Sequence, residues 1–227
     1  MKKSIMLVVA GIAVVAIGFT LLKPRASTEI LPKSGIVGDK NTVVFLGDSI
    51  TAGYGVESEQ AFPYLIGEYW KTNNISLRAV NEGISGDTTS GVLARLDNIL
   101  TDDVYMVFLE IGANDAFAKT DVQEIKGNLK TIIERTKARG IKVAIMEMDL
   151  PAAAYLSDST YVKSFAAIYD EVGKEYGIPV MPSLVKENEN KSDLWQEDKI
   201  HPSQKGHALL ASNTLKFLNK NWVLKVE

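Results

Sequence analysis

Two patterns of apolar residues alternate along this chain, one continuous and one with helical spacing. Val43–Leu46 is an uninterrupted apolar run, which is typical of a strand buried on both faces of a parallel sheet. Strands are predicted over Val43–Leu46, Ile75–Val80, Val104–Ile111 and Ile141–Met146, and a short last strand begins at Val180. Helices are predicted over Phe62–Lys71, Thr88–Leu100, Tyr161–Tyr176 and Ser203–Leu218, and a capping box at Thr120–Gln123 opens another that ends at Gly140. This alternation predicts an α/β protein of three layers, with helices on both faces of a mostly parallel sheet.

The amino-terminal residues carry a different pattern. Met1–Lys3 is positively charged, and Ile5–Leu22 contains 18 residues without a charge. As a helix this run is roughly 27 Å long, close to the hydrocarbon thickness of a bilayer. We expect an uncleaved signal-anchor over residues 1–26 rather than a signal peptide cleaved near Ala26, because signal peptides have shorter apolar cores. Residues 27–41 are expected to be a linker and residues 42–227 a monomeric domain outside the membrane.

Composition removes several classes of chemistry. The chain of 227 residues has no cysteine and only two histidines, His201 and His207. Disulfides, thiol nucleophiles and thiolate metal sites are therefore excluded, and few residues can serve as a general base. The formal net charge is −3, but four basic residues precede the first acidic residue, Glu29, so the rest of the chain is more acidic. Such a domain offers no broad basic face to a nucleic acid.

Four short polar segments are the candidates for chemistry: Gly47–Ser49, Ser85–Asp87, Gly112–Asp115 and Asp198–Pro202. The first and third directly follow predicted strands and the second comes shortly after one. Because parallel strands end at one edge of a sheet, we expect these three segments to meet there. By itself, Gly-Asp-Ser would indicate only a turn. No spacing of histidines and carboxylates favours a metal site, and we expect neither a metal nor a cofactor.

The residue types in these segments suit nucleophilic catalysis. A serine hydroxyl becomes a good nucleophile only when a neighbouring base removes its proton, and His201 is the expected base for Ser49. Asp198, three residues before His201, is expected to orient the imidazole. His207 is interpreted as a packing or surface residue. The aspartates Asp48, Asp87 and Asp115 are interpreted as residues that fix turns by bonding local backbone.

The four segments together resemble the GDSL or SGNH hydrolases. Residue by residue, they are most similar to the bacterial thioesterase, lysophospholipase and arylesterase branch. The resemblance extends from Thr42 to Leu218. It implies a flavodoxin-like fold and a catalytic triad of Ser49, Asp198 and His201. It also implies an oxyanion hole formed by Ser49, Gly86 and Asn114. Two positions depart from the family pattern: Ile50 replaces leucine, and Ala113 stands where close relatives often carry glycine.

The resemblance also implies a function. We expect a serine esterase that acts on small-molecule or lipid esters and thioesters, on the periplasmic face of a bacterial inner membrane, or free in the periplasm if the leader is cleaved. The apolar loop Asp149–Tyr155 follows a predicted strand at the same sheet edge. We therefore expect it to line the acyl pocket through Leu150, Pro151, Ala152 and Tyr155. A carbohydrate O-acetylesterase and a non-catalytic envelope protein are the alternatives.

Overall fold

The computed structural model describes residues 40–150, 159–185 and 188–223. Its strands are β1 (Thr42–Gly47), β2 (Arg78–Gly83), β3 (Val104–Glu110), β4 (Lys142–Met146) and β5 (Val180–Met181). Its α-helices are α1 (Ser49–Ala52), α2 (Phe62–Thr72), α3 (Thr89–Ile99), α4 (Ala113–Phe117), α5 (Val122–Ala138), α6 (Ser159–Tyr176) and α7 (Gln204–Leu218). The short helices α1 and α4 were not predicted, because four or five residues are too few to reveal a period.

The strands form one sheet in the order β2-β1-β3-β4-β5, and every pairing among them is parallel. All residues of β1 are buried. Because successive side chains of a strand point to opposite faces, both faces of the sheet are covered there. The observed order is that of flavodoxin-like folds. The predicted α/β class and parallel sheet are therefore confirmed.

The sequence misplaced the second strand and one helix cap. The predicted strand Ile75–Val80 begins at Arg78 instead and continues to Gly83, because its register pairs Arg78 with Thr42 and Gly83 with Gly47. β2 lies at the edge of the sheet and is partly exposed, so its apolar pattern is weak. Helix α5 is capped by Asp121, whose side chain accepts the N–H of Gln123, and not by Thr120.

The helices pack in two groups. Helix α2 packs against α7, whereas α5 contacts both α3 and α6. Phe45 of β1 lies in the core, with its ring centroid 5.5 Å from that of Phe62 on α2 and 5.7 Å from that of Phe108 on β3. The chain passes from β1 to β2 on one side of β1, and then to β3 on the opposite side of β1. This reversal opens a crevice at the carboxyl ends of β1 and β3.

The predicted signal-anchor of residues 1–26 lies outside the described residues, as does most of the predicted linker. Within the described part of the chain, no helix combines the length and apolar character needed to cross a bilayer. The division into leader, linker and domain therefore stays a prediction.

Candidate active site

Ser49 is the first residue of α1 and lies two residues after Gly47, the last residue of β1. Asp48 caps this helix, and its Oδ1 accepts the N–H of Ile50 at 3.1 Å. Gly53 ends the helix in the left-handed region, with a φ of 83°. A buried strand, a cap and a glycine stop thus hold the serine hydroxyl at the carboxyl edge of the sheet.

Asp198 and His201 lie on a loop closed at its base by an antiparallel bridge between Trp195 and Pro202. The Oδ1 atom of Asp198 accepts the backbone N–H groups of Ile200 at 2.9 Å and His201 at 3.0 Å. Its other oxygen lies 2.7 Å from Nδ1 of the His201 ring. One carboxylate therefore folds the loop and orients the imidazole.

The second ring nitrogen of His201, Nε2, lies 2.9 Å from Oγ of Ser49, a residue 152 positions away in the sequence. Partial burial raises the pKa of Asp198, but hydrogen bonds from the ring and backbone of His201 and from Ile200 outweigh it, and the net shift is downward. An ionised Asp198 favours the tautomer with the proton on Nδ1. In that tautomer Nε2 is free to accept the proton of the serine hydroxyl.

The other two residues of the predicted oxyanion hole, Gly86 and Asn114, lie beyond β2 and β3. Asn114 donates from Nδ2 to the carbonyl oxygen of Asp87 at 2.9 Å and, over a long 3.4 Å, to Oδ2 of Asp48. The long second contact is weak, so one amide hydrogen is available to a ligand. Gly86 is exposed and has a φ of +86°. Among the described residues, no atom beyond its two chain neighbours lies within 4 Å of where a Cβ would stand. Its backbone conformation favours glycine, and the space beside it is open.

Behind the serine lies a pair of buried carboxyl groups, Asp48 and Glu110, whose pairing was not predicted from the sequence. Asp48 and Glu110 are 1% and 0% exposed. Oε2 of Glu110 accepts the hydroxyl of Thr51 at 2.6 Å and its N–H at 3.1 Å. Burial raises the pKa of Asp48 to about 6, and burial together with the charge of Asp48 raises that of Glu110 well above its ordinary value. Glu110 is the last residue of β3 and the only charged residue in that strand, and a charged residue there was the available signal.

All three aspartates interpreted as turn residues also bond groups outside their own turn. Asp87 accepts the Nε–H of Arg95 on α3 at 2.9 Å. Asp48 contacts Asn114, as described above. The buried carboxylate of Asp115 accepts the N–H and the hydroxyl of Thr89 at 2.9 and 2.6 Å, which ties the end of β3 to the start of α3. These contacts fix the separations among the polar segments.

An apolar cleft opens beside the serine. Its volume is about 30 Å³, so it is a narrow slot. Ile50, next to Ser49, and Pro202, next to His201, are part of its wall. Of the predicted acyl-pocket residues, Leu150 lines the cleft, whereas Pro151, Ala152 and Tyr155 lie outside the described residues. The other apolar wall residues were not predicted from the sequence, and they include Phe117, Met146, Met148, Val185 and Trp195.

A parallel α/β sheet that carries a hydrogen-bonded serine, histidine and aspartate at its carboxyl edge defines a serine hydrolase. The chain belongs to the GDSL-like lipase/acylhydrolase family, whose model matches residues 45–209. It is an ester-hydrolysing enzyme, a serine esterase, as the sequence predicted.

Individual relatives agree with this family. Thioesterase 1/protease 1/lysophospholipase L1 of Escherichia coli strain K12 is 32% identical over 172 residues, 75% of this chain and 80% of that protein. An arylesterase of Vibrio mimicus is 29% identical over 172 residues, 74% of this chain and 84% of that protein. Among solved structures, the psychrotrophic esterase EstA from Pseudoalteromonas sp., inhibited by monoethylphosphonate, has a TM-score of 0.74 and 27% identity. That match covers 80% of this chain and 98% of EstA.

Proposed function

We propose that the enzyme hydrolyses acyl esters or thioesters through an acyl-enzyme on Ser49. His201 removes the proton from the Ser49 hydroxyl as the oxygen attacks the acyl carbonyl, and it then protonates the leaving group. A water molecule, activated by the same imidazole, releases the acid and restores Ser49. Asp198 holds the ring and stabilises the imidazolium. The observation that carries this proposal is the continuous series from Ser49 Oγ through His201 to Asp198, with separations of 2.9 and 2.7 Å.

The oxyanion formed during attack needs hydrogen-bond donors that are already in place. We assign these donors to the backbone N–H groups of Ser49 and Gly86 and to the side-chain amide of Asn114. The weak contact between Asn114 and Asp48 supports this role, because little is lost when the amide turns one hydrogen to the oxyanion. Loss of one such donor typically lowers kcat by ~10²–10³-fold.

We assign the apolar cleft to the acyl chain, so the preferred substrate carries an acyl group longer than acetyl. The wall is lined mainly by aliphatic, methionine and aromatic side chains, and burial of each methylene contributes about 0.8 kcal/mol. The narrowness of the slot favours an unbranched chain. Rates on p-nitrophenyl esters from acetyl to decanoyl test this assignment. A maximum beyond butanoyl is expected, whereas a sharp preference for acetyl would favour a carbohydrate O-acetylesterase.

Replacement of the nucleophile tests the mechanism. Ser49→Ala should lower kcat on p-nitrophenyl butanoate by about 10⁴-fold or more. The matched control is Ser58→Ala, at an exposed serine, which should leave kcat unchanged. Unchanged hydrolysis by the Ser49 variant would refute the acyl-enzyme and favour a non-catalytic role for this site.

The membrane tether is also part of the proposal. Ile5–Leu22 is long enough as a helix to anchor a monomeric domain that faces the periplasm. Amino-terminal sequencing of the native membrane fraction should begin at or near Met1. An amino terminus near Ala26 would instead mean a free periplasmic enzyme.

A further inference from the structure

The nucleophile and the base come from distant parts of the chain, and one side chain bridges the two segments. Gln196 donates from Nε2 to the carbonyl oxygen of Tyr54 at 2.6 Å and to that of Pro202 at 3.0 Å. Its backbone N–H also donates to the carbonyl oxygen of His201 at 2.9 Å. One amide group therefore joins the segment after Ser49 to the loop that carries His201.

Few bonds separate the Gln196 side chain from Ser49 and from His201. The N–H of Tyr54 donates to the carbonyl oxygen of Ser49 at 2.9 Å, so two hydrogen bonds connect Gln196 to the nucleophile's own residue. On the other side, Pro202 directly follows His201. The ring of Tyr54 also lies against the imidazole, with a centroid separation of 4.6 Å. A change at Gln196 would therefore alter the separation of the hydroxyl and the imidazole through the backbone of both segments.

The absence of a side chain at Gly55 leaves the space that the Gln196 side chain occupies. Gly55 lies in the left-handed region, with a φ of +77°, and a Cβ there would stand 2.1 Å from Oε1 of Gln196. Any other residue at position 55 would strain the backbone and push the amide from its acceptors. The site also demands an amide, because two carbonyl acceptors need two N–H donors on one atom. A glutamate would face both carbonyl oxygens with an oxygen of its own.

We propose that Gln196 is a positioning residue that sets the distance between Ser49 Oγ and His201 Nε2. This inference rests on the catalytic roles proposed above. Gln196 contacts neither the candidate nucleophile's hydroxyl nor the imidazole nitrogens, so it acts through the backbone of both segments. Its loss lets the histidine loop move relative to α1, which lowers the rate of attack without changing the walls that bind the acyl chain.

Two variants test the role. Gln196→Met keeps the length of the side chain but removes its N–H donors. Gln196→Glu keeps the shape of the side chain but replaces the donor nitrogen with an acceptor oxygen. Because misplacement of reacting groups by about 1 Å costs up to ~10²-fold, we expect kcat to fall by about 10- to 100-fold in both variants. KM should stay within about twofold. The control Gln123→Ala, at an exposed glutamine in the first turn of α5, should match the wild type in both constants.

A second readout separates positioning from general destabilisation. The rate of covalent inactivation by a small p-nitrophenyl phosphonate reports the reactivity of the serine, and it should fall in proportion to kcat. Urea unfolding identifies the conditions in which each variant is fully folded, and both rates are measured there. A kcat within twofold of wild type in either folded variant would overturn the proposal.

Parallel assays of Ser49→Ala distinguish this inference from the proposed function. If the Ser49 variant is inactive while the Gln196 variants keep their kcat, only the positioning role is wrong. If the Ser49 variant remains active, the acyl-enzyme mechanism fails and the positioning role fails with it.

Discussion

His207 gives the most direct test of how burial controls the stability of this fold. It lies on α7 and is fully buried, with its ring stacked on that of Phe62 at a centroid separation of 6.4 Å and an angle of 10°. Neither ring nitrogen has a hydrogen-bond partner among the described residues. Burial, with a smaller contribution from the charge of His201, lowers the pKa of His207 from 6.5 to about 4. The protein therefore folds around a neutral imidazole.

The sign of the pH dependence follows from proton binding. In the unfolded chain His207 is protonated below about pH 6.5, whereas in the folded protein it is protonated only below about pH 4. Between these values the unfolded state binds more protons, so the free energy of unfolding falls as the pH falls. At about 1.36 kcal/mol per pKa unit, the full loss is about 3 kcal/mol. This is a large fraction of the stability of a typical domain.

His207→Leu is the informative perturbation, because leucine neither titrates nor buries unpaired nitrogens. Urea unfolding followed by circular dichroism, from about pH 7.5 to about pH 4.5, gives the free energy of unfolding of both proteins. As the pH falls, we expect the free energy of unfolding of the variant to rise relative to that of the wild type by most of that 3 kcal/mol. Taking the difference between the two curves removes the contributions of all other groups. Parallel curves would show that burial does not suppress protonation of His207, and the reasoning would be refuted.

Three further predictions address the site and its supports. Glu110 keeps its proton in the folded state well above its ordinary pKa of 4.5, so stability should fall as the pH rises above about 4.5. Glu110→Gln should reduce this fall in urea unfolding at about pH 5 and pH 8, and an equal fall in both proteins would contradict it. Asp198→Asn should lower kcat by about 10⁴-fold with the fold intact, because the imidazole loses its favoured tautomer, and a loss under tenfold would count against that role. Gly112→Ala should destabilise the protein, because its Cβ would stand 2.3 Å from the hydroxyl of Tyr169 at a φ of +124°. The matched control Gly127→Ala, in an open part of α5, should raise the free energy of unfolding by about 0.5–1 kcal/mol, and equal effects of the two alanines would refute the steric argument.

Much of the fold was predictable because its signals are local. The apolar run of β1 and the helical spacing of α3 and α6 are set by neighbours within a few residues. The three-residue offset of Asp198 and His201 is also local, since one carboxylate reaches both the ring and the backbone of the same turn. The edge strand β2 was misplaced because its bounds depend on pairing with β1 and its own pattern is partly polar.

The sequence by itself determined the alternation of elements, the family and the residues able to do the chemistry. Only the tertiary structure decided which distant groups meet. The pairing of β1 with β3 brings Glu110 behind the serine, and the loop closed by Trp195 and Pro202 brings Gln196 to Tyr54. No local spacing encodes these contacts, because they depend on the packing of the whole sheet and its helices.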